Sequence, residues 1–91
     1  MVNIVFRKNF RKSVDTRIRI NTKLYNRFLE RLKIYCNNTD NAILRDHPLT
    51  GKMNKNRAFS ITDDVRVIYR IVDDNTVEFF DIGTHEQVYE K

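Results

Sequence analysis

The sequence predicts an α+β fold: an N-terminal strand and a three-strand meander form an antiparallel sheet, an antiparallel helix pair packs on it, and a short helix closes the chain. Three observations carry that expectation. Apolar residues recur at helical spacing between about residues 8 and 36. They recur at strand spacing from about residue 57 onward. Between the two regimes, Asn37-Asn38-Thr39-Asp40-Asn41 is a run of turn formers.

Each element has its own local signal. Val2 to Phe6 is a short β-prone run that ends at a basic cluster, as suits a first strand. From about Lys8 to Arg19 there is no glycine or proline, and Phe10, Val14 and Ile18 line one helical face. Asn21 or Thr22 can cap a second helix, in which Leu24, Phe28, Leu32 and Cys36 recur every four residues while Tyr25, Leu29 and Tyr35 widen the stripe. Arg57 to Thr62 then reads as a strand and Asp63-Asp64 as a tight turn. Val65 to Val72 reads as a strand with Val65, Val67, Tyr69 and Ile71 on one side. Asp73-Asp74-Asn75 turns the chain into a last strand, Thr76 to Ile82, which Gly83 breaks. Thr84 can cap a final helix through Tyr89, with Glu86 in its first turn.

A chain of 91 residues, 41% hydrophobic, can bury one modest core, so residues 1–91 are expected to form a single domain without repeats or linkers. No apolar run approaches the roughly 18 residues that span a bilayer, and the start has no apolar middle region of a secretory signal. With a lone cysteine, Cys36, read as a buried core thiol, this suggests a cytoplasmic protein with no membrane association. Charge is unevenly spread. Residues 1–57 hold 14 Lys/Arg against 4 Asp/Glu, a balance of +10, and residues 58–91 hold 3 against 8, a balance of −5. A concentrated positive field draws polyanions, and phosphate backbones are the commonest large polyanion available to such a protein. Two histidines and one cysteine without close pairing do not form a usual zinc set, and no glycine-rich phosphate loop or serine-nucleophile motif is present. No cofactor or metal is therefore expected.

The run Arg45-Asp46-His47-Pro48-Leu49-Thr50-Gly51, then Arg57, then Val65 to Ile71, then Asp81-Ile82-Gly83-Thr84-His85-Glu86-Gln87-Val88-Tyr89 resembles the YafQ-like toxins of the RelE superfamily. The likeness spans nearly the whole chain and is strongest in the DHPLTG and GTHxxVY stretches. It implies a RelE-like fold and a toxin that cuts mRNA on the ribosome without metal, by attack of a ribose 2′-hydroxyl on the adjacent phosphate. It also implies a cognate antitoxin that holds the toxin inactive, and contact with operator DNA only through that antitoxin. Such a reaction needs a proton acceptor, a proton donor and charge or hydrogen bonds for the crowded phosphorane.

Carried onto this chain, the resemblance makes His85 the proton donor, suited to exchange near neutral pH, and Asp64 a base. His47, whose backbone is biased to extended by Pro48, becomes a second active-site histidine. Tyr89, four residues past His85 and so on the same helical face, becomes an aromatic that stacks on a base or donates its hydroxyl. Arg66 matches a strand arginine of the RelE branch that holds phosphate oxygens. Arg57, Lys52 and Lys55 would border the cleft and hold backbone phosphates. The chain departs from the family in two places: Ser60 stands where a second histidine is usual, and Val65 where a tryptophan follows the aspartate. Two other readings keep the fold: a gyrase-inhibiting toxin like ParE, and a catalytically decayed toxin that acts only as an antitoxin partner in repression.

Overall fold

In the computed structural model, which describes residues 2–51 and 55–89, the chain runs as β1 (Asn3–Phe6), α1 (Lys8–Ser13) prolonged by a π-helical turn (Val14–Ile18), and α2 (Thr22–Asn37). A 3-10 turn (Ala42–Leu44) follows, then β2 (His47–Pro48), β3 (Arg57–Ser60), β4 (Val65–Asp73), β5 (Thr76–Thr84) and α3 (His85–Tyr89). The strands form one sheet in the order β1-β5-β4-β3-β2. The α+β class and the meander are as the sequence predicts. β1, however, pairs in parallel with β5, Asn3 facing Thr76 and Phe6 facing Phe79, so the sheet is mixed rather than wholly antiparallel. A parallel neighbour needs a long crossover connection, and the helix pair together with β2 to β4 supplies it.

The period-four stripe of the first helical segment holds, since Phe10, Val14 and Ile18 are all buried. The helix widens at Val14, where the Arg19 amide donates to the carbonyl five residues back. Of the two capping candidates for α2, Asn21 is the cap: its Oδ1 accepts from the Leu24 amide at 3.1 Å. Phe28 and Tyr35, seven residues apart, are the buried residues of α2. Cys36, expected in the core, is only half-buried, because Tyr35 takes the inward position beside it. Burial still pushes its thiol above the ordinary value.

Between the helices and the sheet lies an aromatic core. Tyr35 stacks on Phe59 at 4.7 Å and meets Tyr69 and Phe79 edge-on, and Phe79 in turn meets Phe6 and Phe10. Val65, Val67 and Tyr69 face this core as the alternation demands. Ile71, expected with them, is 56% exposed, on an open cavity past the end of α2. The opposite face of the sheet carries a smaller cluster of Ala58, Ile68 and Val88, with Leu49 and Tyr89 packed against it. That second cluster is what seats α3 and the segment after β2 on the sheet. Among the described residues no helix is long and apolar enough to cross a membrane.

Candidate active site

The site grows from a sharp turn. Asn41 caps the 3-10 turn by accepting from the Ile43 amide at 3.0 Å, and Arg45 ends it in the left-handed region with φ 51°, uncommon for a residue with a side chain. The chain leaves along the edge of β3, His47 pairing with Ala58 and Pro48 with Arg57. Asp46 pins this path: the Tyr69 hydroxyl donates to its Oδ2 at 2.5 Å, and the Arg57 Nε to its Oδ1 at 3.3 Å. Burial first, and then the hydrogen bond to Asp46, hold the Tyr69 phenol far above its ordinary range, so it stays a donor. Burial likewise pushes the neighbouring Tyr35 phenol up to about 12. The His47 Nδ1 lies 2.9 Å from the Arg45 carbonyl oxygen. A carbonyl can only accept, so in the neutral ring Nδ1 carries the hydrogen and Nε2 keeps a lone pair.

α3 supplies the second wall. Thr84 and Gln87 form a reciprocal capping box: the Gln87 Oε1 accepts from the Thr84 amide at 2.8 Å, and the Thr84 Oγ1 from the Gln87 amide at 3.3 Å. The cap fixes His85 as the first helical residue, exposed, with its ring edge-on to Tyr89 at 4.6 Å. Val88, 4% exposed, anchors the helix on the sheet. Gly83 permits the close approach, since a β-carbon there would lie 3.0 Å from the Gln87 Cβ and 2.6 Å from its Oε1.

Arg66 comes from β4, on the sheet face away from the aromatic core, with its guanidinium carbon 5.8 Å from the Tyr89 ring centroid. Its Nη2 donates weakly to the Asp63 carbonyl at 3.4 Å. Both the Arg66 Nε and the Tyr89 hydroxyl are shielded from solvent and have no hydrogen-bond partner among the described residues. Such orphaned polar atoms are costly unless something completes them. His47, Pro48, Leu49, Thr50, Arg66, His85 and Tyr89 line one groove of about 430 Å³. It therefore holds two imidazoles, a guanidinium and two hydroxyls, and among the described residues no carboxylate lines it.

Four of the five expected catalytic residues are thus brought together, and Asp64 is not with them. It sits exposed in the bend between β3 and β4, where its amide donates to the Thr62 Oγ1. Arg57 requires a correction: it pairs with Tyr69 in the sheet register and turns its guanidinium to Asp46 on the core face, so it braces the loop instead of bordering the groove. Lys55 is exposed before β3 and does not line the groove, and Lys52 lies outside the described residues. Ser60 faces Arg66 across the β3–β4 register, and Val65 is buried in the main core. Sequence reasoning missed Asp46 and Tyr69. The available signal was a lone acid beside the loop histidine, together with a tyrosine at an inward strand position whose hydroxyl needs a partner.

A family model described as a bacterial toxin of a type II toxin–antitoxin system, YafQ, matches residues 2–90. No curated protein matches the sequence. Among solved structures, YafQ from Escherichia coli superposes with a TM-score of 0.76 at 23% identity, covering 98% of this chain and 99% of that one. An E. coli DinJ–YafQ complex gives 0.75 at 24%, covering 98% and 99%. A YoeB/ParE toxin from Agrobacterium tumefaciens gives 0.74 at 16%, covering 93% and 99%. At these identities the superpositions speak for the fold alone.

Proposed function

We propose, given that this chain belongs to the YafQ family of bacterial type II toxins, that it is a ribosome-dependent endoribonuclease acting in the cytoplasm as a single domain and neutralised by a cognate antitoxin. The observation that carries this reading is the convergence of His47, Arg66, His85 and Tyr89 on one groove. A solved E. coli DinJ–YafQ toxin–antitoxin complex of the same fold supports the partner assignment.

Cleavage would proceed in line. The His47 Nε2 lone pair takes the proton of a ribose 2′-hydroxyl, whose oxygen attacks the adjacent phosphorus; the P–O5′ bond breaks, and His85 gives a proton to the departing 5′-oxygen. The product is a 2′,3′-cyclic phosphate. The Arg66 guanidinium would stabilise the phosphorane oxygens, where charge accumulates, and the Tyr89 ring beside it would stack on a base. His47, held with a free lone pair in the groove, suits the base better than the exposed Asp64, and Ser60 need not carry a proton. No step calls for a metal.

Mapping transcript 5′ ends after expression in cells, and again with purified ribosomes in a chelator, tests the reading. Codon-linked cuts that persist in the chelator, and are absent on naked RNA, are expected. DNA damage without cuts would point to a gyrase poison, and neither effect to a repression partner alone.

A further inference from the structure

Beside the groove, and separate from it, three arginines converge on a second cavity. Arg27 and Arg31 of α2, Arg45 of the tight turn, Ser60 and Thr62 at the end of β3, and Asp63 border a space of about 340 Å³. Among the described residues that line it, three guanidinium groups face one carboxylate, Asp63, which is almost fully exposed and pairs with Arg45 at 3.5 Å. Arg31 is held in place by donating its Nη1 to the Ile43 carbonyl at 3.1 Å, and its side chain is 12% exposed. Its Nε is closed off from solvent and pairs loosely with Glu30, its sequence neighbour, at 3.9 Å. A fixed guanidinium and two further arginines make a cradle for a tetrahedral anion.

We infer that this cavity is a second phosphate subsite, which holds a backbone phosphate of the RNA flanking the one cut in the groove. The inference rests on the nuclease reading above for its ligand. The groove opens on the sheet face away from the aromatic core and the arginine cavity lies beside α2, and residues at the edge of β3 link the two. Ser60 lies directly across the sheet from Arg66, one strand spacing of about 4.8 Å away. Arg45 supplies both a guanidinium to the cavity and the carbonyl that orients His47. The Asp63 carbonyl accepts from Arg66. An RNA strand that leaves the groove and turns round the edge of β3 past Ser60 would meet the arginines next, and a phosphate held there would set which bond lies between His47 and His85. An acidic protein segment could also neutralise the arginines, but nothing ties such a segment to the groove as a continuous strand does.

The test reads binding, not cutting, so that it stands apart from the nuclease reading. A short single-stranded 2′-O-methyl RNA, which cannot be cleaved, is titrated by fluorescence anisotropy over a salt series. The proteins are the parent, Arg27→Gln/Arg45→Gln, and Lys23→Gln as a charge control on the same helix outside the cavity. The double variant should bind roughly tenfold more weakly, and its log K against log[salt] slope should fall by about 0.7 for each phosphate it no longer neutralises. The control should move far less. Adding Arg31→Gln, with thermal melting to confirm folding, should deepen the loss. Equal effects of the control and the double variant would overturn the subsite in favour of a diffuse field. So would unchanged RNA binding accompanied by weakened antitoxin binding, which would make the cavity a protein-docking surface. A parent that binds with the expected slope yet never cuts on ribosomes would sink the nuclease reading and leave the subsite standing.

Discussion

The two histidines of the groove are held differently, and that difference predicts how each fails. His85 is exposed and meets the Tyr89 ring edge-on, so His85→Ala should slow mRNA cleavage on ribosomes by about a hundred- to ten-thousandfold while thermal stability changes little. A variant cutting within about threefold of the parent, well short of the usual worth of such catalysis, would shift the centre to Arg66 and Tyr89. Ser60→Ala should cost far less. His47, by contrast, depends on a chain of interactions through the Arg45 carbonyl and the Asp46 anchor. Tyr69→Phe removes a hydrogen bond to a carboxylate, so urea unfolding should register a loss of about 1.5–3 kcal/mol. Cleavage should fall with it, because the loop that aims His47 loosens. A Tyr69→Phe protein as stable and as active as the parent would dissolve this anchor. His47, Arg66, His85 and Tyr89 were legible in the sequence because two short motifs and one strand carry them. The Asp46–Tyr69–Arg57 brace was not, since it joins residues up to 23 positions apart through a sheet register that no local pattern encodes.

At the scale of elements, α3 is too short to hold itself, having only five residues, and its capping box and Val88 do so instead. Gly83 is the hinge of that arrangement. Gly83→Ala would set a methyl 3.0 Å from the Gln87 Cβ, which cannot swing away as the amide end can, so the helix must shift. The expected cost is about 1–3 kcal/mol, seen in thermal melting, with a larger proportional loss of cleavage because His85 and Tyr89 ride on the displaced helix. Unchanged melting and unchanged cleavage would mean that α3 adjusts freely. The elements themselves were largely readable, since a switch from period 3.6 to period 2 survives any detail of packing. Two features were not. Phe10, Val14 and Ile18 mark one face whether the turn after Ser13 is α or π, so the bulge that brings Arg17 to Asp81 and the Ile82 carbonyl left no separate trace. The parallel partner of β1 is likewise a choice of neighbour, and a four-residue strand does not carry that choice in its own residues.

Over the whole molecule, three arginines gather near one end of β4, beside Asp63 and Asp64, and three aspartates near the other, beside Arg57. The β4–β5 turn, with Asp73 and Asp74, borders a cavity shared with Asp40, while the groove and the arginine cavity adjoin the other end of β4. Nine residues of strand separate the two ends, about 30 Å. On the proposed function, RNA would approach the end that carries the arginines, and the same field would draw an acidic antitoxin segment there. Toxin and antitoxin should therefore associate more slowly as salt rises, and antitoxin already in place should prevent RNA from reaching the groove. Stopped-flow association between low and high ionic strength, followed by cleavage assays on ribosomes with antitoxin added before or after the toxin, measures both. The association rate should fall steeply with salt, whereas dissociation changes less, because steering acts on encounter. Antitoxin added first should abolish cutting. An association rate indifferent to salt would mean that the antitoxin docks on apolar surface away from the arginines, and a complex that still cut mRNA would mean that neutralisation does not work by covering the groove.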